Sequence, residues 1–155
     1  MSKPYSQPGE KGTDTNQASE LFELCKEVAK RTDWLCDEDA SDFYFYWEAN
    51  EGGDFSIRYR NECPYYSKDE YYPLYTSDYL LERLQPFKTE ARGNRGDMMP
   101  VNAFVFVRRE SKNEFRAGHR YNLNGAKYSD GIYADTPLKA LLKLTIALSE
   151  AGELK

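Results

Sequence analysis

The chain has few of the residue types that build most catalytic and metal centres. Its 155 residues include one histidine, His119, and three cysteines, none of them in a Cys-x-x-Cys pair. This odd number without paired spacing predicts neither a disulfide framework nor a zinc site. Nucleophile-elbow, phosphate-loop and His-Glu-x-x-His signatures are also missing from the sequence. We therefore expect a protein that is not an enzyme and that carries no cofactor or metal ion.

Long apolar runs are missing as well. No run approaches the roughly 20 residues that a membrane-spanning helix needs, and the residues after Met1 lack the basic and then apolar pattern of a signal peptide. The expected location is the cytoplasm, without a membrane partner. Residues 1–16 are rich in Ser, Pro, Gly, Gln and Thr and are predicted to form a flexible tail. Residues 17–155 suit a single domain.

Positive charge is missing from one stretch of the chain. The formal net charge is −5, and residues 33–54 contain eight acids and no Lys or Arg. Residues 83–127 have the opposite bias, with 10 Lys and Arg against 4 Asp and Glu. Separated blocks of this kind either mark interaction surfaces or are solvated faces. A candidate binding patch is formed by the first acids of the acidic block, which are Asp33, Asp37, Glu38, Asp39 and Asp42.

The clearest structural signal is an apolar helix near the C-terminus. Asp135 or Thr136 can cap its first turn, and Pro137 suits its first position. The residues from Leu138 to Leu148 present an apolar surface that is too wide for an exposed helix. Gly152 can adopt the left-handed conformation that ends a helix. This helix is therefore expected to be buried on most sides and to anchor the fold.

Two further helices and two hairpins complete the predicted fold. The helices are residues 17–31 and a short segment capped by Thr76 or Ser77, and the hairpin strands are residues 43–48 with 55–60 and 103–108 with 115–121. Each strand pair is joined by a turn too short for a parallel crossover, so the sheet is expected to be antiparallel. Strand positions are apolar or aromatic at consecutive residues, which favours helices on both faces. The prediction is an α+β fold in the order α-β-β-α-β-β-α, arranged as a three-layer sandwich.

Part of this order resembles a known family. The segment Pro73-Leu74-Tyr75-Thr76-Ser77-Asp78 leads into a helix, a hairpin follows, and Ala134-Asp135-Thr136-Pro137 leads into the apolar helix. Over residues 75–151 this pattern resembles the phage ABA sandwich domain found in phage and prophage proteins. The resemblance implies a phage or prophage origin and a three-layer fold, and it brings no catalytic residues.

A cluster of tyrosines is a second candidate binding surface. The residues that we single out are Tyr65, Tyr66, Tyr71 and Tyr72, in a predicted loop between the two hairpins. Tyrosine offers a large contact area at a small cost in conformational entropy, so such a loop suits a protein partner or a stacked base. The alternative is that these rings close over a sheet edge as part of the core.

A group of arginines is the third candidate surface. It comprises Arg92, Arg95, Arg108, Arg116 and Arg120. Strand alternation predicts that Arg108, Arg116 and Arg120 lie on related faces, where they can contact phosphate. The alternative is a solvated sheet surface. The overall acidity and the lack of a recognition motif argue against a nucleic acid partner.

Two functions of different classes fit these observations. The first is a non-enzymatic phage or prophage accessory protein that binds a host protein, for example as a defence inhibitor whose acidic patch imitates phosphates. The second is a small-ligand or nucleotide-binding module that uses the arginines of the second hairpin. The first is the function that we expect from the sequence, and the second is its alternative.

Overall fold

A computed structural model describes residues 8–32, 45–50, 54–59, 71–85 and 87–154. All five acids of the candidate acidic patch, together with Tyr65 and Tyr66, lie outside the described residues. The chain divides into two compact units, of which one comprises Met1–Lys30 with Trp34–Leu74 and the other Arg31–Asp33 with Tyr75–Lys155. Each unit has its own antiparallel sheet, and the single domain over residues 17–155 stays a prediction.

The first unit combines one long helix with a three-stranded sheet. Its elements are α1 (Pro8–Arg31), β1 (Phe45–Ala49), β2 (Phe55–Tyr59) and β3 (Tyr71–Pro73), and the strand order is β2-β1-β3. The helix begins at Pro8, so residues 8–16 are helical where the sequence predicted a flexible tail. Once a helix has nucleated, each further residue adds one backbone hydrogen bond at little cost, and proline suits a first helical position.

The predicted first hairpin is confirmed, and it packs on α1 through aromatic rings. The β1 and β2 strands pair antiparallel, and the Asn50 amide donates to the Asp54 carbonyl at 2.8 Å. The Phe22 ring stacks on Phe55 with centroids 4.9 Å apart and meets Trp47 edge-on at 5.6 Å. These contacts tie the buried face of α1 to the sheet.

The second unit contains the remaining elements. These are α2 (Ser77–Arg83), β4 (Phe87–Arg92), β5 (Met98–Ser111), β6 (Glu114–Asn122), β7 (Ala126–Tyr128), β8 (Ile132–Ala134) and α3 (Pro137–Glu150). The five-stranded sheet has the order β4-β5-β6-β7, and β8 also pairs with β6. The mixed α+β class and the antiparallel pairing are confirmed. The two predicted hairpins belong to separate sheets, and β3, β4, β7 and β8 are additional strands.

The apolar C-terminal helix is the centre of the second unit. The Thr136 hydroxyl caps α3 by accepting from the Lys139 amide at 3.2 Å. Leu141 and Leu142 are fully buried. At the other end, Gly152 has a φ of 75°, and the Glu153 amide donates to the Leu148 carbonyl at 2.9 Å. The start and end signals in the sequence therefore place this helix correctly.

Helix α3 divides the larger sheet into an inner and an outer face. It contacts β5, β6 and β8, and the side chains of Ala103, Val105 and Ala117 on those strands are buried. Strand side chains alternate between the two faces, so the residues between these positions point away from α3. Phe104, which lies between Ala103 and Val105, is 43% exposed. The outer face is accordingly the exposed one.

Candidate functional site

The register of the second sheet brings aromatic and arginine side chains together on its outer face. Phe104 on β5 lies opposite Arg120 on β6, and Arg120 lies opposite Tyr128 on β7. Directly opposite residues of antiparallel strands project to the same side of a sheet. We call this surface the arginine face, and it consists of Phe104, Phe106, Arg108, Arg116, Arg120 and Tyr128.

Phe106 contacts three other members of the arginine face. It lies opposite Gly118, and its ring occupies the space above that glycine, since a β-carbon built on Gly118 would be 3.2 Å from the ring. Tyr128 meets the Phe106 ring edge-on with centroids 5.8 Å apart. The guanidinium carbons of Arg116 and Arg108 lie 5.4 Å and 5.8 Å from the ring centroid, within the range of cation–π attraction.

Glu110 forms ion pairs with two of the three arginines of the arginine face. Its Oε1 is 2.8 Å from the Nε of Arg108 and 3.0 Å from the Nε of Arg116. The hydrogen bond from Arg108 is the largest effect on the pKa of Glu110 and lowers it below its ordinary value. Burial opposes this effect, and the charges of Arg108 and Arg116 lower the pKa further. Glu110 therefore stays ionised and offsets part of the positive charge at this end of the face.

Arg120 is the cation that remains available. It is exposed, and no ion pair joins it to an acid in the part of the chain that the structure describes. Phe104 and Tyr128, its neighbours on either side, are 43% and 55% exposed. A surface concavity of about 440 Å³ lies here, lined by Gln85, Phe104, Val105, Phe106, Val107, Arg108, Arg120 and Tyr128. This volume is in the range of small-molecule sites.

The structure brings together only three of the five predicted arginines. Arg92 is the last residue of β4, and its Nη1 donates to the Gly96 carbonyl at 3.2 Å. It pairs with Met98, which is six residues before Phe104 on β5, or about 20 Å at the usual strand rise. Arg95 lies in the exposed turn that follows. Neither belongs to the arginine face.

The two described tyrosines of the aromatic cluster lie in a strand. Tyr71 and Tyr72 form part of β3. Tyr72 is only 3% exposed and meets the Phe22 ring edge-on with centroids 6.1 Å apart. Tyr72 therefore belongs to the core, as the alternative interpretation held, and is not part of a docking loop.

The single histidine lies on the inner face and is part of the packing. The His119 ring meets Phe87 edge-on with centroids 5.2 Å apart, and its Nδ1 is buried without a hydrogen-bond partner. Burial lowers the pKa of His119, and the charge of Glu153 opposes this effect. Among the described residues, no group of three or more His, Cys, Asp and Glu side chains is arranged to hold a metal ion.

The aromatic members of the site were not identified from the sequence. Phe104 and Phe106 alternate with inward-facing residues, a signal that assigns them to the same face as Arg108. Tyr128 has no such local signal, because β7 has only three residues and its position depends on pairing with β6.

Fold and site together define an α+β protein with an exposed sheet face that carries arginines and aromatic rings. No family model matches the chain, and neither the curated proteins nor the solved structures contain a match. The resemblance to the phage ABA sandwich domain stays a prediction. No helix in the described part of the chain is long and apolar enough to cross a membrane.

Proposed function

We propose that this protein is a non-enzymatic binding module whose arginine face holds a ligand with a planar ring and a phosphate group, such as a nucleotide. The observation that supports this most directly is the row in which Arg120 lies between two exposed rings, Phe104 and Tyr128. A guanidinium group binds phosphate through paired N–H donors. An aromatic ring beside it offers a surface on which a base can stack.

The neighbouring groups favour one way of binding. Glu110 engages Arg108 and Arg116, so the phosphate is expected at Arg120 and the base over Phe104 or Tyr128. Stacking contributes about 1–3 kcal/mol per base, and a hydrogen bond to a charged group about 1.5–3 kcal/mol. One contact of each kind adds up to about 2.5–6 kcal/mol, which spans dissociation constants from about 15 mM to about 40 μM, with the middle of the range near about 1 mM. The module is therefore expected to bind a mononucleotide weakly.

The test is a thermal-shift screen with nucleoside mono-, di- and triphosphates, followed by titration of the best ligand against two variants. Arg120→Gln should weaken binding by about tenfold or more, because it removes the charged donor. Arg95→Gln makes the same charge change at an exposed turn outside the arginine face and should stay within about twofold of the parent. A flat screen, or equal losses for the two variants, would exclude the proposal.

A protein partner is the second candidate. Phe104, Tyr128 and Tyr133 are exposed large side chains in the same sheet, and aromatic and arginine residues are enriched at the centres of protein interfaces. In this version the chain is a phage or prophage accessory protein in the bacterial cytoplasm that binds a host factor, with the acidic residues 33–54 as a further contact. A pull-down from host lysate at low and high salt tests it. Recovery of nothing specific at either salt concentration would argue against it.

A further inference from the structure

The β4 strand has one paired side and one free side. It ends the larger sheet and pairs with β5 alone among the described strands. A concavity of about 870 Å³ lies beside it, lined by Arg83, Phe87, Lys88, Thr89, Glu90, Met98, Ala151, Gly152, Glu153 and Leu154. Its walls carry charges of both signs, with Arg83 and Lys88 on one side of the balance and two glutamates, Glu90 and Glu153, on the other. The free edge of β4 is therefore open to another strand.

The pairing with β5 fixes which backbone groups of β4 point to the free side. The Gly93 amide donates to the Asp97 carbonyl at 2.8 Å, so these two residues continue the β4–β5 register as a hydrogen-bonded pair. Along an antiparallel ladder, hydrogen-bonded pairs alternate with non-hydrogen-bonded pairs, whose amide and carbonyl groups point away from the partner strand. Glu90 falls on the non-bonded positions, and its opposite residue Pro100 has no N–H to donate. The amide and carbonyl groups of Lys88 and Glu90 therefore point outward.

We propose that a second copy of this chain pairs with this edge, β4 against β4, in an antiparallel register centred on Thr89. This register places Lys88 of each copy opposite Glu90 of the other, so opposite charges face each other and each pair exchanges both backbone hydrogen bonds. On the inner face it places Phe87 opposite Ala91, a large side chain against a small one. Thr89 meets its own copy at a non-bonded position.

The alternative registers are poorer. Centring the pair on Lys88 or on Glu90 places like charges directly opposite each other, which is destabilising. Centring it between two residues matches outward-pointing amides with inward-pointing ones, so the ladder cannot form. Centring it on Ala91 places Glu90 opposite Arg92, which are opposite charges. No further strand residues can pair in that register, because β4 ends at Arg92.

Such a dimer would join two five-stranded sheets into one. Lys88 and Glu90 project from the outer face, since they alternate with Phe87, Thr89 and Ala91, so the two arginine faces would lie on one continuous surface. The proposal is independent of what that surface binds, because no residue of the arginine face takes part in the pairing.

Charge reversal tests the pairing. The chain should show concentration-dependent dimerisation in sedimentation equilibrium, and Lys88→Glu or Glu90→Lys alone should weaken it about tenfold or more, because each puts like charges opposite one another twice in the symmetric pair. The double variant restores opposite charges and should return to within a few fold of the parent. Lys112→Glu, the same change in an exposed turn, is the matched control. A monomer at all concentrations, or a dimer that the single reversals leave unchanged, would overturn the proposal.

Cysteine cross-linking tests the register. Antiparallel residues at a non-bonded position have α-carbons about 4.5 Å apart, within the range that a disulfide spans. Thr89→Cys should therefore form a disulfide-linked dimer under mild oxidation, with the 89–89 peptide identified by mass spectrometry. Glu90→Cys should cross-link far less. The parent chain is the control for cross-linking through the native cysteines. Equal or greater cross-linking through residue 90 would show that this pairing is wrong.

Discussion

Replacing Gly118 with alanine should destabilise the second unit without any change of charge or polarity. A β-carbon at this position would lie 2.7 Å from the Ser129 hydroxyl, 3.2 Å from the Phe106 ring and 3.3 Å from the Gly131 α-carbon. The Ser129 hydroxyl cannot move without cost, because it accepts a hydrogen bond from the His119 amide at 2.9 Å. Three neighbours on different strands and loops therefore surround the space that the methyl group would need.

The expected loss can be worked out from these contacts. Breaking the bond to Ser129 costs about 0.5–1.5 kcal/mol, and overpacking against the ring and the backbone costs about 1–3 kcal/mol. Alanine restricts the unfolded chain and returns about 0.4–1 kcal/mol. These terms sum to a fall of about 0.5–4 kcal/mol in the free energy of unfolding, and the middle value of about 2 kcal/mol lowers Tm by about 4–8 °C for a chain of this size.

Gly93→Ala is the matched control. Its β-carbon would meet the sulfur of Met99 at 3.0 Å, but this is the end of a flexible, largely exposed side chain that can move aside. Its effect should stay within about 0.5 kcal/mol. Denaturant unfolding followed by circular dichroism measures both variants. If Gly118→Ala lost no more stability than Gly93→Ala, the packing of Phe106 over the glycine would be wrong.

Three further predictions concern the core, the histidine and the arginine face. Leu141→Asp or Leu142→Asp should abolish folding, because a buried unpaired charge has no compensating partner; cooperative melting like that of the parent would contradict this. Burial holds the pKa of His119 below its ordinary 6.5, so the folded state binds fewer protons than the unfolded state there, and stability should fall as the pH drops below about 6.5. His119→Gln should remove that part of the slope in unfolding curves measured from about pH 8 to pH 5, and an unchanged slope would refute it. Glu110→Gln frees its two arginine partners and should strengthen nucleotide binding by roughly two- to fivefold at low salt, whereas weaker binding in titrations would contradict the assigned role.

The elements with complete local signals were predictable from the sequence. Helix α3 has a capping threonine, a proline at its first position, a wide apolar surface and a glycine after its end, and all four signals agree. The β5–β6 hairpin has alternating side chains and a short polar turn. The weaker strands had no such signals, because β4 places Lys88 and Glu90 on its exposed face and β7 and β8 have three residues each.

The site was only partly predictable for a related reason. Alternation within one hairpin was enough to place Arg108, Arg116 and Arg120 on one face. The pairing of Glu110 with two of these arginines depends on cross-strand register, and so does the position of Tyr128 beside Arg120. Local sequence does not contain that information. Tyr72 shows the same limit, since whether an aromatic ring docks a partner or fills a core depends on what packs over it.

The most direct test of the arginine face as a ligand site is an NMR titration of the intact, isotopically labelled chain with the nucleotide that the thermal screen selects. The account predicts that the amide signals of Phe104, Arg120 and Tyr128 shift together and fit one dissociation constant. Signals in the Arg95 turn should stay in place. If the shifts were confined to residues outside the arginine face, or if nothing moved at about 10 mM ligand, roughly tenfold above the middle of the expected range of dissociation constants, the account would be contradicted.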